Sequence, residues 1–333
     1  MGAQCLAQTL PKCGDLAHLS QQGSGINGRQ GLGRHLMAHA DDRAASLPHL
    51  IPPNAMPWPF LLELMVLGSF TGFMAGLLGI GGGMLLVPFL TMMFTREHFG
   101  ADLIVHMAIA TSLTTILFTS ASSMRAHHRR GAVRWGIVVW LGAGAVIGTF
   151  IGAQFAGLLK SGWLAMFFAV FVGLSALRML LRSGRAHTAD APESLPPKPA
   201  LIGAGSLIGF VSSLVGAGGG FLTIPFLSWR GVNMRNAVAT SAAMGFPIAA
   251  GGLVGYVLAG QRASGLPPDS LGFVYLPALF ACAATSVLMA PVGASLAHRL
   301  HVQVLRRVFA VLLLALASYM LWKGVHALNW VAK

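Results

Sequence analysis

The chain has 333 residues, of which 55% are hydrophobic and only 9% are charged, and its formal net charge at pH 7 is +13. So few charges over this length exclude an ordinary soluble domain, and uninterrupted apolar stretches exclude a β-barrel, whose strands alternate in polarity. The basic residues lie in loops and chain ends, as in a membrane protein, and not along one nucleic-acid-binding surface. Three cysteines are too few and too scattered for a disulfide framework or a metal site: Cys5, Cys13 and Cys282.

The N-terminal segment differs from the rest of the chain. Residues 1–57 are polar, contain Gly and Pro, and include no apolar run as long as a membrane span. We expect a disordered tail here, and a translation start at Met37 or Met56 would shorten it without touching the apolar region. The predicted organisation is a tail at 1–57, a first membrane repeat at 58–182, a linker at 183–199 and a second membrane repeat at 200–333.

Eight apolar segments follow, each long enough to cross a bilayer as a helix at about 20 residues per hydrocarbon core. They lie near 60–80, 101–123, 133–156, 163–181, 200–222, 236–259, 271–293 and 307–326. The predicted fold class is an all-α polytopic membrane protein with about eight transmembrane helices in two homologous four-helix repeats. If the spans alternate in direction, the side that holds both chain ends and the loops after spans 2, 4 and 6 is the more basic. The positive-inside rule then predicts that both termini are cytoplasmic.

An internal duplication is the most specific feature of the sequence. GSFTGFMAGLLGIGGGMLLVPFL at 68–90 and GSLIGFVSSLVGAGGGFLTIPFL at 205–227 are identical at 13 of 23 positions. The motif Ala-Thr-Ser at 110–112 recurs at 239–241, and 146–180 aligns with 287–321 at an offset of 141 residues. The whole membrane region is therefore a pair of related halves.

The glycine clusters of the two copies predict interrupted helices. Residues 64–95 carry no charge over 32 positions, and one helix of that length would measure about 48 Å against a core of about 30 Å. Glycine is a poor helix former, and the prolines that follow cannot donate a backbone hydrogen bond. We expect broken or re-entrant segments that line a central binding site, since irregular backbone at this depth must be buried or line a cavity. The predicted site residues are Gly79, Gly81, Gly82, Gly83 and Pro88, with Gly216, Gly218, Gly219, Gly220 and Pro225 in the second copy.

Such a site favours an anion. Unwound glycine backbone exposes N–H groups, and a helix that starts there adds a partial positive charge. Acidic residues are nearly absent from the spans, which disfavours a cation pathway. The alternative is that glycines serve only close helix packing, and this fits Gly68, Gly72, Gly76, Gly144, Gly148 and Gly152. Four spans per repeat would make the repeats parallel, whereas an extra crossing in each glycine segment would invert them; the pattern allows both.

Polar residues next to the glycine clusters extend the predicted substrate site. Alignment of the Ala-Thr-Ser motifs places His106 opposite Arg235, and the two could flank an anion or could anchor span ends at the interface. Hydroxyl donors could come from Thr111, Ser112, Thr240 and Ser241, although hydroxyls in spans often bond back to their own helix. No nucleotide-binding or hydrolase motif has the required spacing, so we expect no enzymatic activity, no cofactor and no metal.

The duplicated GxxGxGGGxxxxPxL element followed by Ala-Thr-Ser resembles the sulfite exporter TauE/SafE family of bacterial membrane permeases. In the first half the matching residues are Gly76, Gly79, Gly81, Gly82, Gly83, Pro88, Leu90 and Ala110–Ser112, and in the second half Ser213 departs from the pattern at the position of Gly76. The resemblance implies a bacterial inner-membrane transporter of seven to nine spans for sulfite or an organosulfur anion.

The expected function is thus a secondary transporter that moves a small anion by alternating access, with proton coupling as one energy source. A passive anion channel and a non-transporting membrane scaffold are the alternatives. The expected partners are the anionic substrate and membrane lipid, without nucleic acid. The sequence leaves the oligomeric state open.

Overall fold

The computed structural model describes residues 58–78, 82–181, 194–296 and 302–331. These residues form ten α-helices and one short β-hairpin. The helices are α1 (Trp58–Leu78), α2 (Gly83–Arg96), α3 (Ile104–Arg129), α4 (Trp135–Leu158), α5 (Ser161–Leu181), α6 (Lys198–Val215), α7 (Gly220–Trp229), α8 (Met234–Gly260), α9 (Leu276–Leu296) and α10 (Val302–Val331). Strands β1 (Ser270–Leu271) and β2 (Val274–Tyr275) pair antiparallel between α8 and α9. The expected tail and most of the expected linker lie outside the described residues.

Eight of the helices have the length and mean hydropathy of membrane spans, namely α1, α3, α4, α5, α6, α8, α9 and α10. Helices α2 and α7, with 14 and 10 residues, are too short to cross a core of about 30 Å. Each of the eight overlaps one span expected from the sequence, so the prediction of an all-α polytopic membrane protein is confirmed. Each repeat contains one short helix in addition to its four long ones.

The short helix α2 runs back along α1. The rings of Phe70 in α1 and Phe89 in α2 lie 6.4 Å apart. Arg96, the last residue of α2, pairs with Glu63 near the start of α1 at 3.1 Å. The start of α1 and the end of α2 lie side by side. The chain therefore reverses direction at the glycine segment between the two helices.

The second repeat makes the same reversal between α6 and α7. The backbone N–H of Ser194, before α6, donates to the carbonyl of Arg230, after α7, at 3.1 Å. The turns use left-handed backbone at Gly82, Gly216 and Gly219, with φ of 64°, 70° and 72°. Only glycine adopts this conformation without a steric cost. The prediction of broken, re-entrant segments is therefore confirmed in both repeats.

The helices run between two opposite faces of the molecule. The hairpin face contains β1 and β2, and there Ser161 at the start of α5 donates to the carbonyl of Asp102 before α3 at 2.6 Å. The basic face contains the loop at 130–134, and there the N–H of Arg134 donates to Thr240 at 3.1 Å, which joins the starts of α4 and α8. These contacts assign each helix end to one face.

The two repeats have opposite directions. The end of α2 packs on β2 at the hairpin face, where the rings of Phe94 and Tyr275 lie 5.7 Å apart, so the first repeat begins there. Helix α6 begins at the basic face, where Lys198 lies over the ring of Trp140 in α4 at 5.0 Å. The repeats are thus inverted, with an approximate twofold axis in the membrane plane. The short helices cause this, because each adds one reversal to its repeat.

The repeats also exchange helices. Helix α1 packs against α9 of the second repeat, and α6 packs in the same way against α4 of the first. At each crossing a Cβ added to a glycine would collide with the partner helix, mostly with its backbone; the pairs are Gly68 with Cys282, Gly72 with Ser286, Gly205 with Leu141 and Gly209 with Ala145. Gly144, Gly148 and Gly152 of α4 contact α6 as closely. The packing interpretation is confirmed for Gly68, Gly72, Gly144, Gly148 and Gly152, since small residues let membrane helices approach closely, whereas Gly76 lines the cleft described below.

The two faces differ in charge. All acidic residues of the described segments lie toward the hairpin face, and they are Glu63, Glu97, Asp102 and Asp269. Basic residues at that face are Arg96, Lys160, Arg262 and Lys323. The basic face holds Arg125, Arg129, Arg130, Arg134, Arg178, Lys198, Arg230, Arg235 and Arg307. At the hairpin face, burial and the carboxylates of Asp269 and Glu97 raise the pKa of Tyr275, which keeps its phenol neutral.

This distribution corrects the grouping of loops that the sequence predicted. The loop at 130–134 was expected on the same side as both chain ends. In the structure α1 begins and α10 ends at the hairpin face, where Lys323 of α10 contacts Thr95 of α2, and the loop lies at the basic face. The grouping was wrong because it omitted the reversal within each glycine segment.

We expect the substitution Gly205→Ala to destabilise the protein by about 1–3 kcal/mol, the usual cost of forcing an extra methyl group into a packed contact. Its Cβ would meet the carbonyl oxygen of Leu141, which the α4 backbone cannot move aside. Gly203→Ala on the same helix is the matched control, because nothing lies within 4 Å of its added Cβ. Thermal unfolding of the purified proteins in detergent measures the difference, and equal unfolding temperatures would contradict the exchanged-helix packing.

Candidate functional site

The two glycine turns meet in the interior of the molecule. The hydroxyl of Ser112 in α3 lies 3.3 Å from the carbonyl of Gly83 and 3.1 Å from the carbonyl of Gly216, so one donor serves both turns. A Cβ on Gly83 would collide with that same Gly216 carbonyl. Position 83 requires glycine because the backbones of the two turns touch there.

Two helices begin at these turns with their N-termini inside the protein. The N-cap residues of α2 and α7 are Gly82 and Gly219, which have no side chain that could cap the helix. The first N–H groups of a helix have no partner within it and carry a partial positive charge. The centre of the molecule therefore offers backbone donors suited to an anion.

A cleft of about 390 Å³, counted with its solvent-open mouth, adjoins the turn at Gly218 and Gly220. Its polar lining comes from Thr119, Ser120 and Ser123 of α3 and Ser241 of α8. A smaller recess of about 210 Å³ continues it toward Gly82 and Gly83 and shares Ala75, Ile116 and Thr119 with it. None of the described residues that line either space carries a charge. An anion there would be held by neutral N–H and O–H donors.

The cleft lies in the half of the molecule next to the basic face. Its residues come from the second half of α3 and the first half of α8, which are the parts nearest that face. Toward the hairpin face stand the fully buried side chains of Ile109, Leu113 and Tyr256. The hydroxyl of Tyr256 donates to the carbonyl of Ser213 at 2.9 Å, which fixes this layer. The cleft is therefore nearer to the basic face than to the hairpin face.

A stripe of hydroxyls on α3 forms one wall of the site, and the sequence analysis missed most of it. Ser112, Thr115, Thr119 and Ser123 recur every three or four residues, which places them on one face of the helix. Thr115 and Thr119 donate to carbonyls of their own helix, at 2.8 Å and 3.2 Å, so each binds an anion only after its hydroxyl proton rotates away from that carbonyl. The signal was the helical spacing of polar residues within an apolar span.

The structure brings part of the predicted site together. The predicted residues that line the cleft or recess are Gly82, Gly83, Gly218, Gly220 and Ser241. Gly216 and Gly219 form the second turn, and Ser112 joins the two turns. Pro88 is buried within α2 and Pro225 is exposed on α7, and neither lines the cleft. Gly79 and Gly81 lie outside the described residues.

Thr111 and Thr240 have equivalent positions that join the repeats. The N–H of Tyr275, directly before α9, donates to Thr111 at 3.1 Å, and the N–H of Arg134, directly before α4, donates to Thr240 at 3.1 Å. The two donor residues, Arg134 and Tyr275, are 141 residues apart, which is the offset that aligns 146–180 with 287–321. Each threonine thus accepts a backbone N–H that lies directly before a long helix of the other repeat, away from the cleft.

His106 and Arg235 are not brought together. Arg235 is exposed in the first turn of α8 at the basic face, where its backbone N–H donates to the side-chain oxygen of Asn233. His106 is buried near the hairpin face, stacked on Phe273 with ring centroids 5.1 Å apart. The twofold axis that relates the inverted repeats exchanges the two faces of the molecule. Equivalent positions of the two repeats, such as those of His106 and Arg235, therefore lie at opposite faces.

The ring nitrogens of His106 both face oxygen atoms. Nε2 lies 3.0 Å from the carbonyl of Ala156, and Nδ1 lies 3.1 Å from Oγ of Ser161. A carbonyl only accepts, so Nε2 carries a proton. The single proton of Ser161 is directed to the carbonyl of Asp102 at 2.6 Å, so a second bond from Nδ1 to Ser161 needs a proton on Nδ1 as well. The geometry fits two states of the ring: a doubly protonated ring that donates to Ser161, and a neutral ring whose Nδ1 accepts the Ser161 proton in place of the carbonyl of Asp102.

These features define a polytopic membrane protein with inverted, interlocked repeats and a charge-free central cleft. The chain belongs to the sulfite exporter TauE/SafE family, whose model matches residues 64–320. It is 35% identical over 264 residues to a probable membrane transporter protein of Haemophilus influenzae, which covers 79% of this chain and 99% of that protein. No solved structure matches the chain.

More distant relatives cover the same region. A probable membrane transporter protein of Methanocaldococcus jannaschii is 27% identical over 259 residues, with 78% of this chain and 94% of that protein covered. The probable membrane transporter protein YunE of Bacillus subtilis is 26% identical over 282 residues, with 79% and 98% covered. The expected family is confirmed.

We expect Thr111→Val to lower the stability of the protein by about 1–3 kcal/mol, because it leaves the N–H of Tyr275 without its acceptor. Thr111→Ser keeps the oxygen and should restore most of the loss. The unfolding temperature of the detergent-purified variants tests this. A Thr111→Val protein that unfolds like the wild type but loses affinity for an anion would instead support the substrate-binding role that the sequence predicted.

Proposed function

We propose that this protein is a secondary transporter that moves a small oxyanion, sulfite or an organosulfur anion, across the bacterial inner membrane. The observation that carries the proposal is the charge-free cleft at two uncapped, interior helix N-termini. Backbone N–H groups and hydroxyls bind oxyanions without a buried cation, and an anion held this way can also leave. The family match supports sulfur oxyanions as the class.

The inverted repeats support alternating access. We infer that the centre opens toward the basic face, because the cleft lies in that half of the molecule and a buried layer that includes Leu113 and Tyr256 lies toward the hairpin face. If the two repeats exchange conformations, the same centre opens to the hairpin face and closes to the basic face. This closure on one side favours a transporter over a channel with a continuous pore.

His106 is the group we propose for proton coupling. Its proton on Nδ1 completes a chain to Ser161 and the carbonyl of Asp102, which joins the starts of α3 and α5. Loss of that proton makes Nδ1 an acceptor, and Ser161 can then turn its proton from the carbonyl of Asp102 to Nδ1, which breaks the link between α3 and α5. Protonation therefore stabilises the closed hairpin face, and deprotonation favours its opening.

We propose that the basic face is cytoplasmic. The positive-inside rule counts Lys and Arg near span ends, and these are concentrated at that face. Helices α1 and α10 then begin and end at the outer side, opposite to the orientation that the sequence alone predicted.

Proteoliposomes that contain the purified protein should take up sulfite or a related sulfur oxyanion in a saturable manner that depends on a proton gradient. The test panel comprises sulfite, thiosulfate, sulfate, sulfoacetate and chloride. Ser120→Ala should raise KM about tenfold, the value of one hydrogen bond to a charged ligand, because it removes a cleft hydroxyl. His106→Gln should keep saturable exchange but lose the dependence on the gradient.

Ser69→Ala is the matched control for this experiment. Ser69 donates to its own helix at 2.9 Å, as Ser120 does at 3.2 Å, but does not line the cleft. Saturable flux in the wild type that does not depend on the proton gradient would contradict proton coupling. Flux that does not saturate would favour a channel. Folded wild-type protein without flux of any anion would favour a scaffold.

Single cysteines should report the orientation of the two faces. Ser264 is exposed at the hairpin face and Ala126 is exposed near the basic face, so Ser264→Cys and Ala126→Cys are introduced after Cys5 and Cys13 are replaced by Ser; Cys282 is buried. A membrane-impermeant maleimide should label position 264 in intact spheroplasts and position 126 only in inverted vesicles. The reverse labelling pattern would indicate that both chain ends are cytoplasmic, as the sequence alone predicted.

A further inference from the structure

One buried threonine differs from all others in the described part of the chain. Thr223 in α7 has no exposed surface, and its hydroxyl has no hydrogen-bond partner among the described residues. Every other buried threonine there has one, either a carbonyl of its own helix or a backbone N–H from elsewhere. A buried hydroxyl without a partner costs free energy, so a role in ligand binding is a reason to keep it.

The hydroxyl of Thr223 belongs to the same turn as the interior N-terminus of α7. The N–H of Thr223 donates to the carbonyl of Gly219 at 2.8 Å, in the first turn of the helix. Its Oγ1 lies 3.7 Å from the place that a Cβ on Gly219 would occupy, so the hydroxyl points back toward the start of α7. The unpaired hydroxyl and the uncapped N–H groups therefore share one small region.

The repeat symmetry relates this region to the cleft. Thr223 corresponds to Leu86 at the offset of 137 residues that aligns the glycine segments. Leu86 lines the inner recess beside Gly82 and Gly83. The region around Thr223, Gly219 and Gly220 is the symmetry-related half of the same centre; Gly220 lines the cleft, and Thr223 itself lines neither space in this conformation.

We propose that Thr223 is a substrate-binding residue of the transporter, whose hydroxyl donates to an oxyanion when the centre opens toward the hairpin face. This inference rests on the proposed anion transport. In the present conformation the ligand region is lined by Leu86, and in the opposite one by Thr223. At this position the second half-site carries a hydroxyl that the first one lacks.

The test is Thr223→Val, which has nearly the same shape and lacks the hydroxyl. We expect KM for sulfite in proteoliposomes to rise about tenfold, the effect of one charge-assisted hydrogen bond. Thr223→Ser, which keeps a hydroxyl, should restore KM. The unfolding temperature of Thr223→Val should equal or exceed that of the wild type, because the variant removes a buried polar group without a partner.

Thr91→Val is the matched control, since Thr91 is a fully buried threonine of the other short helix whose hydroxyl donates to Val87 at 2.8 Å. Its KM should stay at the wild-type value. Wild-type flux with an unchanged KM in Thr223→Val would overturn this inference and leave the transporter standing. A lower unfolding temperature with an unchanged KM would assign Thr223 to packing. Wild-type protein without flux of any anion would overturn both proposals.

Discussion

The architecture depends on the contact between two glycine turns in an apolar interior. Peptide groups that leave a helix inside a membrane must find partners within the protein, because no water competes for them. Here the carbonyls of Gly83 and Gly216 share the hydroxyl of Ser112, and the absence of side chains lets the two backbones meet. The reversal of each chain segment, the inversion of the repeats and the two interior helix N-termini all follow from these turns.

The exchange of helices between the repeats gives the turns a rigid frame. Backbone-to-backbone packing of α1 on α9 and of α6 on α4 buries each re-entrant pair against the other repeat, so neither repeat encloses its own turn. Dispersion contacts and close helix approach are the main attractive forces between helices in lipid, where the hydrophobic effect contributes little. A transporter built this way can change conformation by moving the repeats relative to each other while each glycine contact stays intact.

In the proposed mechanism the functional residues fall into two groups with different physical demands. Residues at the centre are neutral and small, because a binding site that must release its anion on either side gains from many weak donors. Groups that hold protons or charges lie at the faces: His106 near the hairpin face, and the arginines at the basic face. Separation of the proton site from the anion site means that coupling passes through the position of α3, which carries both His106 and Ser112.

The sequence by itself determined the membrane class, the eight spans, the duplication, the glycine breaks and the family, because hydropathy, helix length and glycine conformation are local properties. The sequence also predicted, as site residues, the glycines that line the cleft or the recess and Ser241. Only the tertiary structure decided that the repeats are inverted and that α1 and α6 exchange partners. For that reason His106 and Arg235, aligned in sequence, lie at opposite faces, and Thr111 and Thr240 serve backbone contacts. Those outcomes depend on which way the chain turns inside the protein, and that is set by long-range packing that no local pattern records.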